Sequence, residues 1–380
     1  MMKRRIKCWI AAGLALLFCL PAAAADQLPF DVNAKSAVLM DWNTGTVLYA
    51  KNRDQALPPA SVTKVMTLLL IMEAIDSGNL PLDEAVSVSE YAASMGGSQV
   101  FLEPGETMTA EEMLKCVIIA SANDAAVALA EKVAGSEEAF VGRMNERAAE
   151  LGMHNTHFEN VTGLDDDVTN HMTSAYDIAL MSRELLNHPK ILEYSGIWMD
   201  TIRGGEFGLT NTNRLIRFYP GATGLKTGST SKAKFCISAT AQREGLHLIA
   251  VIMGSDTRDS RNDAAKTLLD WGFANYSVYT HTDDTEGSAS IIGGVRNTCR
   301  GNAGDFSVLL PKGKQKSVTV EHIYYENIPA PVHAGDTIGI VRYHLDGEIL
   351  TEIPIISSED VERIGFTELF LRMFGIYLMK

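Results

Sequence analysis

The stretch ALPPASVTKVMTLLLIMEAI, residues 56–75, contains an apolar run typical of a buried helix. Two prolines come just before the run, so the helix is expected to begin after them. Lys64 lies inside this run, although burying an ammonium group without a partner costs free energy. Ser61 precedes Lys64 by three positions, so the two side chains would lie on one face of a helix. We therefore expect the Ser61 hydroxyl to be the partner of Lys64.

The S-x-x-K pattern of Ser61 and Lys64 suits nucleophilic catalysis. A serine hydroxyl is a weak nucleophile until a base takes its proton, and desolvation in an apolar helix lowers the pKa of a lysine, which makes it available as that base. A place at a helix N-terminus also favours developing negative charge. The same letters occur twice more between residues 229 and 234. Those pairs fall in a strand-like segment, where residues three apart point to opposite faces.

A second motif, Ser121-Ala122-Asn123, has the form S-x-N. On a bend between two helices its hydroxyl can relay a proton, and its amide can hold a peptide group through both donor and acceptor. The same letters recur at residues 260–262, in what the composition indicates is a polar loop. Alone, S-x-N is also compatible with an ordinary helix cap.

A third motif, Lys226-Thr227-Gly228, begins a run typical of a strand. A cation and a hydroxyl on a strand edge suit a carboxylate, and a glycine there lets a substrate backbone approach closely. A surface strand with a turn glycine is the alternative interpretation. In this order, S-x-x-K, S-x-N and K-T-G are the motif set of penicillin-binding proteins and class A β-lactamases. The three together therefore indicate a serine acyl-transfer site.

Residues 1–25 have the three parts of a secretory signal peptide. Four basic residues near the start precede an apolar stretch from Trp9 to Leu20, and small residues around Ala23 and Ala25 offer an A-x-A cleavage site. An uncleaved anchor is the alternative, but the apolar stretch is short for a membrane span. Cleavage would lower the formal net charge from −14 to −18, because the segment carries four basic and no acidic residues.

This acidic balance makes the chain a poor candidate for binding nucleic acid. Beyond the leader there are three cysteines, of which Cys116 and Cys236 lie in apolar runs and are expected in the core, and the third is Cys299. Their number and spacing predict neither a disulfide framework nor a metal site, and we expect no cofactor.

Strand-like and helical patterns follow one another in blocks along the chain. The patterns predict a hairpin within residues 36–52, helices within 61–77, 110–135, 137–153 and 173–188, two strands joined by a turn at Glu244-Gly245, and a helix within 262–276. Strands at both ends of this segment predict an α+β domain whose antiparallel sheet is assembled from both ends. After about residue 278, short alternating runs broken by Gly, Pro and Asp predict a small β-rich domain.

The chain resembles the secreted D-alanyl-D-alanine carboxypeptidases, the low-molecular-mass penicillin-binding proteins of bacterial cell-wall metabolism, closely over residues 30–276 and more loosely beyond. The resemblance is carried by ASVTKVMTLLLIMEA, IIASANDAAVALAE, MNERAAELGMHNTHFENVTGLDD, HMTSAYDIALMSREL, GLKTGSTSKAKFCISATA and LLDWGF. It implies a β-lactamase/DD-peptidase-like α+β domain, an antiparallel sheet with helices and an inserted helical subdomain, followed by the small β-rich domain. The implied boundaries are 1–25 for the signal peptide, 26–277 for the catalytic domain, 278–364 for the β-rich domain and 365–380 for an amphipathic membrane-anchor helix.

The resemblance also implies a role for each motif residue. Ser61 would attack the carbonyl between the two terminal D-alanines of a peptidoglycan stem pentapeptide, with Lys64 as general base and Ser121 as proton relay to the departing D-alanine. β-Lactam antibiotics would be covalent inhibitors at the same serine. The implied substrate-binding residues are Asn123 for the peptide, Lys226 and Thr227 for the carboxylate, Ser229 for the oxyanion hole through its backbone, and Arg261 near the carboxylate. For Arg261, a solvated charge in a polar loop is the alternative.

Two other functions are open at this point. A serine β-lactamase would need a group that speeds deacylation, such as a glutamate holding a water, and Glu159 lies at a suitable distance along the chain from Asn123. However, HFENVTGLDD around it follows the carboxypeptidase pattern. A catalytically silent wall-binding protein is the other alternative, against which the three intact motifs argue.

The last residues form an apolar stripe at helical spacing. Its members are Phe366, Leu369, Phe370, Met373, Phe374 and Tyr377. The segment is shorter than the roughly 20 residues that a transmembrane helix needs, but it can lie in a membrane interface. We expect it to attach the exported enzyme to the outer face of the cytoplasmic membrane; a terminal helix docked on the β-rich domain is the alternative.

Overall fold

The computed structural model describes residues 30–166, 168–285 and 287–378, so the leader lies outside the described residues. These residues form two compact units: 30–282 together with 305–316, and 283–304 together with the chain from 317 onward.

In chain order the strands are β1 (Ser36–Asp41), β2 (Val47–Lys51), β3 (Ala85–Ser87), β4 (Thr107–Thr109), β5 (Met199–Ile202), β6 (Phe207–Thr210), β7 (Ala222–Thr230), β8 (Lys234–Arg243), β9 (Leu246–Ser255), β10 (Tyr276–His281), β11 (Gly287–Ile292), β12 (Thr298–Asn302), β13 (Phe306–Pro311), β14 (Val318–Tyr324), β15 (Ile328–Pro329), β16 (Thr337–Leu345) and β17 (Glu348–Ser357). The α-helices are α1 (Lys64–Asp76), α2 (Glu90–Ala93), α3 (Ala110–Lys115), α4 (Asn123–Ala134), α5 (Glu137–Glu150), α6 (Ala175–Leu185), α7 (Lys190–Ser195), α8 (Leu215–Phe218), α9 (Arg258–Asn275) and α10 (Phe366–Leu378).

The first unit is built on a five-stranded antiparallel sheet in the order β2-β1-β9-β8-β7. The predicted hairpin, the turn at Glu244-Gly245 and the assembly of the sheet from both ends of the segment are confirmed, since Ala37 of β1 pairs with Ile252 of β9. β9 is buried along its whole length. Alternate residues of β9 face two separate cores, and helices cover both faces.

The two cores contain different helices. One core contains α1, α4 and α6, and the other contains α9. The region predicted as one or two helices over 110–135 consists of α3, one π-helical turn at Cys116–Ala120, and α4. The helix predicted from residue 61 begins as a 3-10 turn at Ala60–Thr63, and α1 starts only at Lys64.

One local prediction was wrong. The segment around Arg261 is not a polar loop, because α9 begins at Arg258 and includes it. Thr257 caps this helix in a reciprocal capping box with Ser260. The capping residue Thr257 was not recognised as a helix start, because the charged residues of the first turn resemble those of a polar loop.

The second unit is β-rich, as predicted, with a six-stranded sheet in the order β14-β16-β17-β12-β11-β15. Residues 305–316 belong to the first unit instead, because β13 pairs with β10. Segments of the two compact units therefore alternate along the chain between residues 283 and 317.

The terminal helix α10 turns much of its apolar stripe outward. Phe366 is 84% exposed, and Leu369, Phe370, Met373 and Phe374 are also exposed. On another side of the helix, Arg372 donates to the carbonyls of Gly294 and Val295 in the same unit. Within the described ranges, no helix is both long and apolar enough to cross a membrane.

Candidate active site

The amine of Lys64 joins the first two sequence motifs. Lys64 is completely buried, and its Nζ lies 3.1 Å from Ser61 Oγ, 2.5 Å from Asn123 Oδ1 and 2.9 Å from the carbonyl oxygen of Thr162. The 3-10 turn carries Ser61 into this contact. The predicted serine–lysine partnership therefore exists in the fold.

The surroundings of Lys64 favour its neutral form. Burial lowers its pKa well below the ordinary value, the charge of Lys226 lowers it further, and Asp124 acts in the opposite direction. A neutral amine has two N–H donors and one lone pair. The oxygens of Asn123 and Thr162 can take both donors, which leaves the lone pair for the hydroxyl proton of Ser61.

The S-x-N motif lies on a sharp bend. The π-helical turn ends at Ser121, which has left-handed backbone with φ of 65°, and α4 begins at Asn123. The amide of Asn123 holds protein groups on both sides, because Oδ1 accepts from Lys64 and Nδ2 donates to the carbonyl of Gly96 at 2.6 Å. Its backbone N–H donates to Ser98 O at 2.7 Å. Asn123 thus connects the base to the loop that contains Gly96 and Ser98.

The K-T-G motif lies on β7, the edge strand of the sheet. Lys226 is buried and donates to the carbonyl of Thr227 at 3.0 Å. Burial, reinforced by the charge of Arg261, lowers its pKa to about 7. A Cβ on Gly228 would lie 2.8 Å from the backbone nitrogen of Ser61, so glycine permits this close approach of the strand to the nucleophile. Ser229 follows as an exposed residue.

Arg261 is not a solvated charge, which corrects the alternative interpretation. It is 3% exposed, and its guanidinium donates to the carbonyl of Cys236 on β8 and to Asn262 Oδ1. Its electrostatic effect on Lys226 indicates that the two cations lie near each other. Arg261 therefore places a positive charge against β8, the strand that pairs with β7.

Thr212 was not among the residues predicted from the sequence. The hydroxyl of Thr227 donates to Thr212 Oγ1 at 2.8 Å, and the backbone N–H of Thr212 donates to the carbonyl of Ile119 in the π-helical turn at 3.1 Å. The flanking Asn211 and Asn213 are buried and bind backbone carbonyls. Thr212 thus connects the K-T-G strand to the S-x-N bend. Two asparagines alternating with threonines before the strand were the available signal.

The segment Val161-Thr162, which supplies the Thr162 carbonyl, was also not predicted from the sequence. The hydroxyl of Thr67 donates to Val161 O at 2.7 Å, and Thr63 Oγ1 lies 2.7 Å from Nε2 of His171. His171 is buried, which lowers its pKa to about 4. Its Nδ1 accepts from the backbone N–H of Glu159, so the ring donates to Thr63. Neutral His171 therefore connects Glu159, two residues before Val161, to Thr63 at the start of α1.

Glu159 does not resemble a group that holds a hydrolytic water. Its carboxylate accepts from the backbone N–H groups of Thr169 and Asn170 at 2.9 and 3.1 Å.

In the part of the chain that the structure describes, no group of His, Cys, Asp and Glu could hold a metal ion, and the cysteines at 116, 236 and 299 are buried and free.

Comparisons with known proteins agree with this geometry. A family model described as D-alanyl-D-alanine carboxypeptidase matches residues 22–257, and one described as penicillin-binding protein 5, C-terminal domain, matches residues 281–363. The D-alanyl-D-alanine carboxypeptidase DacF of Bacillus subtilis is 42% identical over 384 residues, covering 98% of both chains.

Solved structures give the same result. Penicillin-binding protein 5 from Haemophilus influenzae superposes with a TM-score of 0.76 at 32% identity, covering 88% of this chain and 99% of its own. Penicillin-binding protein D2 from Listeria monocytogenes, in an ampicillin-bound form, has a TM-score of 0.59 at 31% identity, covering 64% of this chain and 98% of its own. The expected fold and family are confirmed, and neither the β-lactamase nor the silent wall-binding protein is favoured. The chain belongs to the D-alanyl-D-alanine carboxypeptidase family, as a low-molecular-mass penicillin-binding protein that acts on the bacterial cell wall.

Proposed function

We propose that Ser61 carries the acyl group when this carboxypeptidase removes the terminal D-alanine of a stem pentapeptide. The observation that carries the proposal is the environment of Lys64, whose amine has two carbonyl oxygens for its N–H donors and the Ser61 hydroxyl at 3.1 Å for its lone pair. The depressed pKa of Lys64 supports its action as the base.

In acylation, Ser61 Oγ bonds to the carbonyl carbon of the penultimate D-alanine while its proton passes to Lys64. Collapse of the tetrahedral intermediate breaks the peptide bond, and the proton held by Lys64 passes through Ser121 to the nitrogen of the leaving D-alanine. Water then attacks the ester, which releases the shortened peptide and restores the Ser61 hydroxyl. The backbone N–H groups of Ser61 and Ser229 stabilise the oxyanion, a role supported by the close approach of Gly228 to the nitrogen of Ser61.

Lys226 and Thr227 bind the carboxylate of the terminal D-alanine, and Arg261, next to β8, adds positive charge nearby. Among the described residues, Lys226 donates only to the carbonyl of Thr227. A buried cation without an anionic partner is costly, so a substrate carboxylate gains a strong ionic hydrogen bond there. Asn123 completes the set: it keeps Lys64 in place, and its amide borders the position of the substrate peptide.

Penicillin and a defined pentapeptide test this assignment. The intact mass of the wild-type protein should increase by one penicillin after mixing, and the protein should release D-alanine from the peptide. Ser61→Ala should abolish both results while retaining the wild-type melting temperature. An adduct that persists in Ser61→Ala, or that maps to another serine, would disprove the assignment. Rapid turnover of penicillin would instead indicate a β-lactamase.

We further propose that residues 1–25 export the enzyme, that 26–277 and 278–364 are its catalytic and β-rich domains, and that 365–380 attach it to the outer face of the cytoplasmic membrane. The outward apolar residues of α10 support this attachment, since a helix docked through its stripe would bury them. The protein without its leader should float with liposomes in a density gradient. Truncation after Gly365 should leave it soluble and active. A folded full-length protein that fails to float would rule out the attachment.

A further inference from the structure

Phe101 has a backbone conformation that bulky residues rarely adopt. Its φ is +56°, in the left-handed region, where an aromatic residue is a genuine outlier. The strain is not compensated by burial, because Phe101 is 66% exposed. Its ring meets Phe207 of β6 edge-on, with centroids 6.5 Å apart.

Side chains hold the backbone on both sides of Phe101. The fully buried carboxylate of Asp124 accepts from the backbone N–H groups of Val100 at 3.0 Å and Leu102 at 3.1 Å. The guanidinium of Arg203 donates to the carbonyls of Val100 at 3.0 Å and Phe101 at 3.2 Å. Both flanking amides and two carbonyls are therefore held, which fixes the backbone from which the exposed ring projects.

Arg203 is itself held in place. It forms a two-pronged ion pair with Glu106, at 2.7 and 3.0 Å, so its guanidinium has little freedom to leave the loop. Strained backbone persists where the surrounding structure over-determines it, and such residues cluster at functional sites. An exposed aromatic ring on a strained and firmly held backbone is better explained by binding than by packing.

The loop that ends at Phe101 starts inside the active site. Asn123 binds the carbonyls of Gly96 and Ser98, and the next residue, Asp124, holds the amides around Phe101. Phe207, the ring against Phe101, lies on the strand that leads to Thr212. The loop of Phe101 is therefore attached to the S-x-N bend on one side and, through Phe207, to the segment leading to the K-T-G strand on the other.

We propose that the Phe101 ring is a specificity-determining contact for the stem peptide on the N-terminal side of the two D-alanines. The leaving group of a carboxypeptidase is one residue and ends at the carboxylate held by Lys226. Every other part of the substrate extends from the acyl side, so only that part can reach an exposed ring at the rim. Rigid aromatic side chains offer a large apolar contact at little cost in conformational entropy. This inference rests on the site proposed above.

Two substrates and two variants of Phe101 test the proposal. The substrates are the stem pentapeptide and a short N-acylated D-alanyl-D-alanine that ends before the rim. Phe101→Asn removes the ring but keeps a residue that tolerates left-handed backbone, and Phe101→Tyr keeps the ring. Phe218→Asn is the matched control, because Phe218 is 61% exposed, lies in the same unit and stacks edge-on against another aromatic ring, that of Trp198.

We expect Phe101→Asn to lower kcat/KM for the pentapeptide about tenfold, mainly through KM, and to change that of the short substrate less than about twofold. Phe101→Tyr and Phe218→Asn should behave like the wild type on both substrates. Arg203→Lys, which weakens the hold on the loop, should show a smaller loss with the same dependence on substrate length. Equal losses of Phe101→Asn on both substrates, or no loss on the pentapeptide, would overturn the proposal. Both outcomes would leave the Ser61 assignment intact, because that assignment is tested separately by the Ser61→Ala variant and by the position of the penicillin adduct.

Discussion

Two buried lysines belong to the candidate site, and their surroundings differ. The amine of Lys64 has three oxygen atoms within hydrogen-bonding distance, from a serine, an asparagine and a backbone carbonyl. Lys226 donates to the neighbouring carbonyl of Thr227, and its strongest charged neighbour is the cation of Arg261. Burial lowers the pKa of both lysines. The difference teaches that burial alone does not assign a role. Lys64 has two carbonyl oxygens for its N–H groups and the Ser61 hydroxyl for its lone pair, which suits a base. Among the described residues no carboxylate pairs with Lys226, which suits the binding of an anion.

The largest expected effect comes from Lys64→Arg. Arginine keeps a positive charge but has no accessible neutral form, so loss of the base should slow acylation by penicillin about 10³-fold. Stopped-flow acylation kinetics measure this rate. Lys64→Met, which removes the amine without adding bulk, should be similarly slow, and circular dichroism should show that both variants fold. Acylation at near-normal rates in either variant would contradict the contrast between the two lysines.

Lys226→Ala should affect substrates according to their charge. Its kcat/KM should fall about 100-fold for a peptide ending in a free D-alanine carboxylate, because an ionic hydrogen bond is lost in a desolvated site. An ester analogue without that carboxylate should lose less than about threefold. Steady-state kinetics on the two substrates give the ratio. Equal losses on both would indicate that Lys226 serves proton transfer or structure instead of carboxylate binding.

The pH dependence should separate the two lysines further. Lys226 has a pKa of about 7 in the free enzyme, and only its protonated form carries the charge that binds a carboxylate. The ratio of kcat/KM for the peptide to that for the ester should therefore fall about tenfold as pH rises from about 6 to about 8. The same ratio in Lys226→Ala should be flat across this range. A peptide-to-ester ratio that rises with pH in the wild type would contradict the binding of the carboxylate by protonated Lys226.

The smallest expected effect is that of Thr212→Val. Thr212 accepts the hydroxyl proton of Thr227 in the free enzyme, and reversal of this bond would release that proton for the substrate carboxylate. Valine has nearly the same shape but no hydroxyl, so kcat/KM for the carboxylate substrate should fall about fivefold. Thr212→Ser should restore most of the activity. A loss in Thr212→Ser as large as that in Thr212→Val would indicate a packing role.

The fold and the three motifs could be predicted because their signals are local. Strand-like runs indicate the sheet, apolar periodicity indicates the helices, and the order of the three motifs indicates the serine site. The carbonyl of Thr162 could not be predicted, because a backbone oxygen has no residue-type signature. Asp124 and Thr212 were missed because their partners lie 22 or more and 15 positions away, respectively. Arg261 was misplaced because a capping box was hidden among charged residues.

The pairing of β1 with β9 has a consequence for how the chain becomes an enzyme. Ala37 lies beside Ile252, so the catalytic sheet cannot close until more than two hundred residues of intervening chain have been synthesised. Long-range strand pairing of this kind is intrinsically slow. A nascent chain that has not yet produced β9 lacks the centre of its sheet and has no cleft. If the leader directs export as proposed, delayed closure would keep the chain unfolded during translocation, and the active site would assemble only where the wall substrate is found.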